Sequence, residues 1–473
     1  PPKVPPKVPP TVPPTVPPTV PPTVPPTSLL ATPLKGVLPP TLPPWPPTYE
    51  LAMSTLTMQC NGSGYSNATR GAAFGIVSYD WSNAKAQWSM AQPMDDEERL
   101  LHQAILTKKT AMSLNRSTKV FVYRNVVKAL PWFSSVRNIM VDPAYSGFFL
   151  HFKDKTSKTS VPRCALENNS KCSMYYHDQE QTPEVNGGDG KCPPVGGCDC
   201  GKDLPCGEYL WDHRNGSQLR TWLIDHHIVS ATALGNEAVD GMFIDDYWCS
   251  NLICQENPHV AGCPCGDPVQ GPTEVNKNNQ IDMGLSNEDV RDLTMAWNLT
   301  MGLVQEAILK NKGYTWSLLW GQGNANASPL LLHQNTCAQQ LRDACRGGKD
   351  NDVWQTNGHL VGLNVVNGTQ YVQLNQDVAF FQLVRGPYAW LGWGQWGMTW
   401  PFNPEPRHGE LPPLPHGVPR PAVLEHDFGV PGDGDGAGDG DLCHETTSGS
   451  GIFQRLYSRG VVELNCNTFV AKW

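Results

Sequence analysis

The sequence has no apolar run approaching the ~18 residues that a membrane-spanning helix needs, so nothing in it reads as a bilayer span. It has no basic excess either. Lysine and arginine number 35 against 44 acidic residues, a net charge of −9, whereas nucleic-acid binders present a basic face. It has no starting Met and no leader, and so reads as mature or trimmed. Residues 1–49 lack the means to build a core, because nearly every second one is proline. Zinc is poorly signalled. Cys198-Asp-Cys200 and Cys263-Pro-Cys265 are C-x-C rather than C-x-x-C pairs, and no His follows at finger spacing.

What is present points to an oxidising compartment. There are 15 cysteines. Eight of them, Cys192, Cys198, Cys200, Cys206, Cys249, Cys254, Cys263 and Cys265, fall in Pro/Gly-rich stretches that have little core of their own and gain most from cross-linking. Disulfides are expected there and at Cys164, Cys172, Cys337, Cys345, Cys443 and Cys466, which leaves Cys60 as the odd thiol. N-glycosylation sequons begin at Asn61, Asn67, Asn115, Asn168, Asn215, Asn298, Asn326 and Asn367. A protein kept in the cytosol has no use for these. Secretion to a matrix, wall or cell surface is the expectation, with covalent glycans as partners and neither nucleic acid nor a membrane span.

Residues 1–28 are seven tetrapeptides: PPKV twice, PPTV four times, then PPTS. Proline holds φ near −65°, lacks an N–H, and pushes the residue before it to extended angles. The segment therefore reads as a polyproline II rod, roughly 87 Å long at about 3.1 Å per residue. A four-residue repeat on a three-residue turn rotates each repeat by about 120°, so decoration points in three directions. Thr11, Thr15, Thr19, Thr23 and Thr27 are natural O-glycan sites on such a rod. The repeat resembles the hydroxyproline-rich glycoproteins of algal and plant walls, above all the linear tetrapeptide-repeat chains of extracellular glycofibrils. The resemblance implies hydroxylated, glycan-bearing prolines at Pro1, Pro2, Pro5, Pro6, Pro9, Pro10, Pro13, Pro14, Pro17, Pro18, Pro21, Pro22, Pro25 and Pro26. It also implies copies of the same chain as fibril partners. Lys3 and Lys7 depart from the Thr pattern. The other readings of the segment are a plain Pro-rich linker and an SH3-type ligand.

After a Pro-rich linker over residues 29–58, strand-like and helix-like segments alternate. Strands are expected at Phe74–Tyr79, Lys119–Arg124, Gly207–Leu210, Gly241–Ile244, Gly313–Trp320 and Val378–Val384. Helices are expected from Asp95 to Thr110, through Leu219, Trp222, Leu223 and Ile224, and from Ser286 to Lys312, the last with a Ser286/Asp289 capping box and Gly313 as its stop. This alternation predicts an α/β fold, a (β/α)8-type barrel over residues 59–425. Residues 426–473 supply an Asp/Gly loop and, from Ile452, alternating residues that read as appended antiparallel strands.

Barrels of this kind place working residues at the C-terminal ends of their strands. Those ends carry Asp80, Asn125, Asp212, Arg214, Asp245, Asp246, Gln322 and Arg385, and many of the chain's 16 tryptophans crowd the same places. Trp81, Trp211, Arg214, Trp248, Trp320 and Arg385 are the candidate sugar contacts; packing of the core or of glycan is the plainer use for the indoles. WDHRNGSQLRTWLIDHHI (211–228) and VDGMFIDDYW (239–248) resemble glycoside-hydrolase-like barrels, with Arg220, Asp240, Gly241 and Asp245 matching an Arg followed by Asp-Gly-x-x-x-Asp on the fourth strand. FGVPG…GIFQRLYSRGVVELN resembles the strand region that follows many of them.

The resemblance implies Asp245 as nucleophile, with Asp246 beside it. Neighbours on a strand point to opposite sides, so the two do not both face a cleft. The proton donor then falls to Asp178, Glu180 or Asp212, since the next strand ends in Trp320-Gly321-Gln322 without a carboxylate. A missing donor points to a barrel that binds carbohydrate, such as wall polysaccharide, or merely packs. The expectation is a structural subunit of a glycosylated fibril or wall with an inactive hydrolase-like barrel. The alternatives are a matrix-tethered glycoside hydrolase and a carbohydrate-binding module. No cofactor is required. Asp433, Asp435, Asp439 and Asp441 in GDGDGAGDGD are candidate Ca²⁺ ligands, although the EF-hand pattern lacks its Glu and a solvated acidic loop is the simpler use.

Overall fold

The computed structural model describes residues 48–59, 68–81, 95–140, 142–150, 177–178, 208–245, 286–317, 332–345, 360–362, 365–366, 370–371, 373–387, 389–392, 420–432 and 442–473. The described residues all belong to one compact unit, Leu42–Trp473. The tetrapeptide repeats with all their Pro and Thr sites lie outside the described residues. So do Cys60, Cys164, Cys172, Cys192, Cys198, Cys200, Cys206, Cys249, Cys254, Cys263 and Cys265, and the calcium candidates Asp433, Asp435, Asp439 and Asp441.

The fold is mixed α/β around one curled, wholly parallel sheet. Its strands are β1 (Thr55–Gln59), β2 (Ile76–Tyr79), β3 (Lys119–Asn125), β4 (Gly241–Asp245), β5 (Tyr314–Ser317), β6 (Leu360–Gly362) and β7 (Trp390–Gly392). Across the sheet they run β5-β4-β3-β2-β1-β7-β6, which is chain order around a ring with one cut, between β5 and β6. The described strands number seven against the eight expected, and among the described residues no pairing joins β5 to β6.

The helices are α1 (Asp96–Ser113), α2 (Ser134–Met140), α3 (Ser217–Trp222, running into a π-helical turn at Leu223–Ile228), α4 (Asn287–Lys310), α5 (Gln334–Cys345) and α6 (Leu374–Val384). The Ser286/Asp289 capping box is formed. The left-handed residue that stops α4 is Lys312, at φ 56°, one position before the expected Gly313.

Alternation divides β3 between two environments. Val120 and Val122 face the helix layer and join Leu100, Ala104 and Met242 in the main core. Phe121 faces inward, where Leu56, Ile76, Tyr314 and Trp390 form a second cluster across the sheet. The Phe121 and Tyr314 rings stack with centroids 6.5 Å apart. Gly241 permits it, because a Cβ there would sit 2.7 Å from both the Phe121 ring and the Tyr314 carbonyl. So Gly241 is required by packing, whatever else its motif does.

Two expectations change. Val378–Val384 is helical, part of α6. That helix lies among Leu51 and Leu391 on one side and Phe453, Tyr457, Val462 and Leu464 on the other, all in one buried cluster. Residues 377–384 are all buried, and Val378–Val384 is apolar but for Gln382, so the run shows no amphipathic period that would tell a helix from an inner strand. Glu208–Leu210 is a strand as expected, but it belongs to a small antiparallel sheet with Lys128–Ala129 and His177–Asp178. The C-terminal strands are confirmed as β8 (His444–Glu445), β9 (Ile452–Tyr457), β10 (Gly460–Asn465) and β11 (Val470–Lys472), paired antiparallel in that order. Disulfides Cys337–Cys466 and Cys345–Cys443 tie α5 to this layer.

Candidate functional site at the C-terminal strand ends

The apolar inner face of the sheet turns polar at the C-terminal ends of β2, β3 and β4. Asn125 and Asp245 are register partners on adjacent strands. Tyr123, two residues before Asn125, points to the same side. Its hydroxyl donates to Asp245 Oδ2 at 2.9 Å and accepts from Asn125 Nδ2 at 2.9 Å. The orientation of Asn125 follows from its other end, since Oδ1 accepts from the backbone N–H groups of Val127 and Lys128 at 2.8 and 2.7 Å. The Asn amide must therefore donate to Tyr123, and the Tyr proton must go to Asp245. The relay ends on a carboxylate.

Tyr123 and Asn125 are buried, while Asp245 is half-buried at the lip. Asp80, directly after β2, is only 8% exposed. Trp81 is half-buried and stacks on Trp132, centroids 4.7 Å apart and planes 24° from parallel. A fixed carboxylate beside indole and phenol rings suits a hydroxyl-rich ligand with an apolar face, since the acid accepts hydrogen bonds and the ring covers C–H surface.

The other candidates lie elsewhere. Trp211 is 0% exposed and packs on Phe149 and Trp222 at 5.2 and 5.5 Å, so its face is used in the core and is closed to sugar. Asp212 and Arg214 hold each other through two 2.9 Å contacts, and Arg214 also reaches Asp289 at 2.8 Å. They pin the turn after Trp211 to the start of α4. Arg385 ends a helix rather than a strand. It is buried, donating to the Thr48 carbonyl at 2.5 Å and Ser54 Oγ at 2.6 Å, far in kind from a solvent cleft. Burial pulls it down to about 10. Asp178 sits in the small side sheet opposite Glu208. Asp246, Glu180, Trp248 and Trp320 lie outside the described residues, as do Asn61, Asn67, Asn168, Asn326 and Asn367.

Behind the same strands is a buried polar cluster that serves the scaffold. The Arg124 guanidinium donates to the carbonyls of His227, Tyr123 and Thr232 at 2.8–3.0 Å. Burial alone would raise the Glu97 carboxyl, but His227, Arg124 and Ser135 outweigh it and hold Glu97 at about 2. His213, buried between the Val126 carbonyl at 2.7 Å and Thr300 Oγ1 at 3.1 Å, is pulled down to about 4 by burial.

Reading along the chain singled out Asp80, Asn125, Trp81 and Asp245 but passed over Tyr123. The signal was its place two residues before Asn125 on one strand. Among the described residues no group of three His, Cys, Asp or Glu side chains is placed to hold a metal ion, and no helix is long and apolar enough to cross a membrane. No protein-family model matches the chain, and no curated protein matches it.

Proposed function

We propose that this chain is a secreted, glycosylated matrix or wall protein whose α/β unit binds polysaccharide at the C-terminal strand ends. Its Pro-rich repeats would act as a rod that packs with other copies in a fibril. The observation that carries the binding reading is the Asn125–Tyr123–Asp245 relay next to the Trp81–Trp132 stack. The repeats, the eight sequons and the disulfides support an extracellular address. The strand order supports a hydrolase-like barrel closed by contact between β5 and β6, because the chain order is cut only there.

Asp80 favours a second reading, glycoside hydrolysis. It is a second carboxyl at the same end of the sheet, two strands from Asp245. Two carboxyls about 5–5.5 Å or 6.5–9.5 Å apart are what retaining or inverting hydrolysis needs. Co-sedimentation of the full chain with insoluble wall polysaccharide separates the readings. We expect binding that weakens about tenfold in Trp81→Ala and in Asp245→Ala, the scale of one aromatic or charged contact. Undiminished binding by both variants would reject this site. Release of reducing sugar that stops in Asp80→Asn and Asp245→Asn would make the protein a hydrolase.

A further inference from the structure

Three sequons fall on described residues, and the fold treats them differently. The sugar acceptor is the side-chain Nδ2 of the Asn, and the Ser or Thr hydroxyl two residues on takes part in its recognition.

Asn115 follows the last turn of α1 in a left-handed conformation, φ 54°. Asn115 and Ser117 are both exposed, and the Asn115 amide makes no hydrogen bond among the described residues. The turn around it is held firmly. Arg116 Nη1 donates to the Ala73 carbonyl at 2.8 Å, and Thr118 Oγ1 donates to the Phe74 carbonyl at 2.8 Å.

Asn298 is exposed on α4, but its sequon partner Thr300 is fully buried. The Thr300 hydroxyl lies 3.0 Å from the Ala296 carbonyl and 3.1 Å from His213 Nδ1, so it is sequestered once α4 docks.

Asn215 and Ser217 are exposed like Asn115 and Ser117, but at Asn215 the acceptor atom itself is occupied. Nδ2 donates to the Gly147 carbonyl. The fit is close, because a Cβ on Gly147 would lie 2.9 Å from Nδ2.

We infer that folding selects among these sequons: Asn115 carries an N-linked oligosaccharide and Asn215 stays bare. The inference rests on the secretion reading above. In the transfer, Asn115 Nδ2 forms a bond to the anomeric carbon of a lipid-pyrophosphate-linked oligosaccharide. The bond from that carbon to the pyrophosphate oxygen breaks, and the amide proton leaves as the lipid pyrophosphate departs. Asn115 precedes the first residue of β3 by four positions, which puts the glycan at the N-terminal end of the sheet. The Asp245 end, where carbohydrate would bind, is left open.

The test is glycopeptide mapping of the full chain secreted from eukaryotic cells behind a secretion leader. Enzymatic release in ¹⁸O-water marks each occupied Asn as a labelled Asp. Near-complete occupancy is expected at Asn115, partial occupancy at Asn298 and none at Asn215. An unlabelled Asn115, or an Asn215 occupied as fully as Asn115, overturns the inference. Ser117→Ala should remove one glycan's worth of gel mobility with no change in near-UV circular dichroism. Ser217→Ala should change neither, and a mobility shift in it would also overturn the proposal. Recovery of the native chain only from inside its source cells would reject the secretion reading instead, whatever the leader-driven mapping shows.

Discussion

The parallel sheet and the C-terminal layer are held together by different means. Around β1 to β5 the described residues form an apolar core threaded by buried polar groups, Arg124, Asn125, His213 and His227, that satisfy backbone carbonyls and N–H groups. Around β8 to β11 two disulfides do much of the fastening. Arg455 there caps the end of α6 by donating to the Arg385 carbonyl at 2.6 Å and the Gln382 carbonyl at 3.1 Å. A disulfide acts largely on the unfolded chain, whereas a buried hydrogen-bond network specifies one arrangement of its members. The region that presents Asp245 is the one whose geometry is specified by hydrogen bonds.

The sharpest way to break this contrast is to remove the covalent fastening. Cys337–Cys466 closes a loop of 129 residues and Cys345–Cys443 one of 98. Loops of that length imply about 3–5 kcal/mol for each bridge. In Cys337→Ala/Cys466→Ala, amide hydrogen exchange should show β8 to β11 losing protection first, while β1 to β5 keep theirs. Simultaneous loss in both sheets would mean that the two regions fold as one unit and that the contrast is only one of composition.

Acid attacks from the other side. His213 and His227 are the buried histidines among the described residues, and both lie in the parallel-sheet region. Burial lowers both. In the folded chain His213 stays neutral down to about 4, while in the unfolded chain it protonates near its ordinary 6.5. Below 6.5 the unfolded state therefore binds more protons, so stability is complete above pH 6.5 and is lost as pH falls toward 4. A displacement of this size amounts to about 3 kcal/mol. His227 adds to the loss in the same direction. Glu97, held at about 2, continues it, since its contribution is present above the ordinary carboxylate range and disappears as pH falls toward 2. Thermal unfolding followed from pH 7 to pH 4 should show a falling midpoint, with a shallower fall in His213→Gln. An unchanged slope in that variant would show that His213 does not set the acid response.

Much of this region was legible because its signals are local. Phe74–Tyr79 and Lys119–Arg124 are strand-like runs that stop on Asp80 and Asn125; Asp80 directly follows β2 and Asn125 is the last residue of β3. Ser286 and Asp289 announce the start of α4 within four residues of each other. The alternation after Ile452 gives the antiparallel strands directly. What stayed hidden depends on distant partners. Val378–Val384 is buried all round, apolar but for Gln382, because residues from two different sheets pack with it, and no local pattern reports that. Arg385 looked like a strand-end charge, yet its partners are more than 300 positions earlier, at Thr48 and Ser54. Trp211 resembled a sugar platform until Phe149 and Trp222 closed over it. Tyr123 was concealed by its setting, an aromatic residue inside an apolar run, where a packing role is the ordinary assumption.

The smallest expected effect gives the cleanest comparison, because one substitution can be made in both regions. Tyr457 in β9 donates its hydroxyl to the Gln382 carbonyl at 2.7 Å, just as Tyr123 donates to Asp245 at 2.9 Å. Each Tyr→Phe change removes a hydroxyl with two hydrogen-bond contacts, Tyr123 with Asp245 and Asn125, Tyr457 with the carbonyl and the side chain of Gln382, and should cost about 1–2 kcal/mol of stability. The consequences for ligand should differ. Tyr123→Phe removes one of the contacts that orient Asp245 and takes from Asn125 Nδ2 the oxygen to which it donates, so polysaccharide binding should fall about five- to tenfold, the scale of one hydrogen bond to a charged group. Tyr457→Phe leaves Asp245 and its relay untouched, so binding should not change. Co-sedimentation and chemical denaturation on both variants measure the two quantities separately. Equal binding by the two variants would return the relay to the scaffold and leave Trp81 and Asp80 to carry the site without it. Weaker binding in Tyr457→Phe alone would move the ligand to the C-terminal layer, which the present arrangement of carboxylates and indoles argues against.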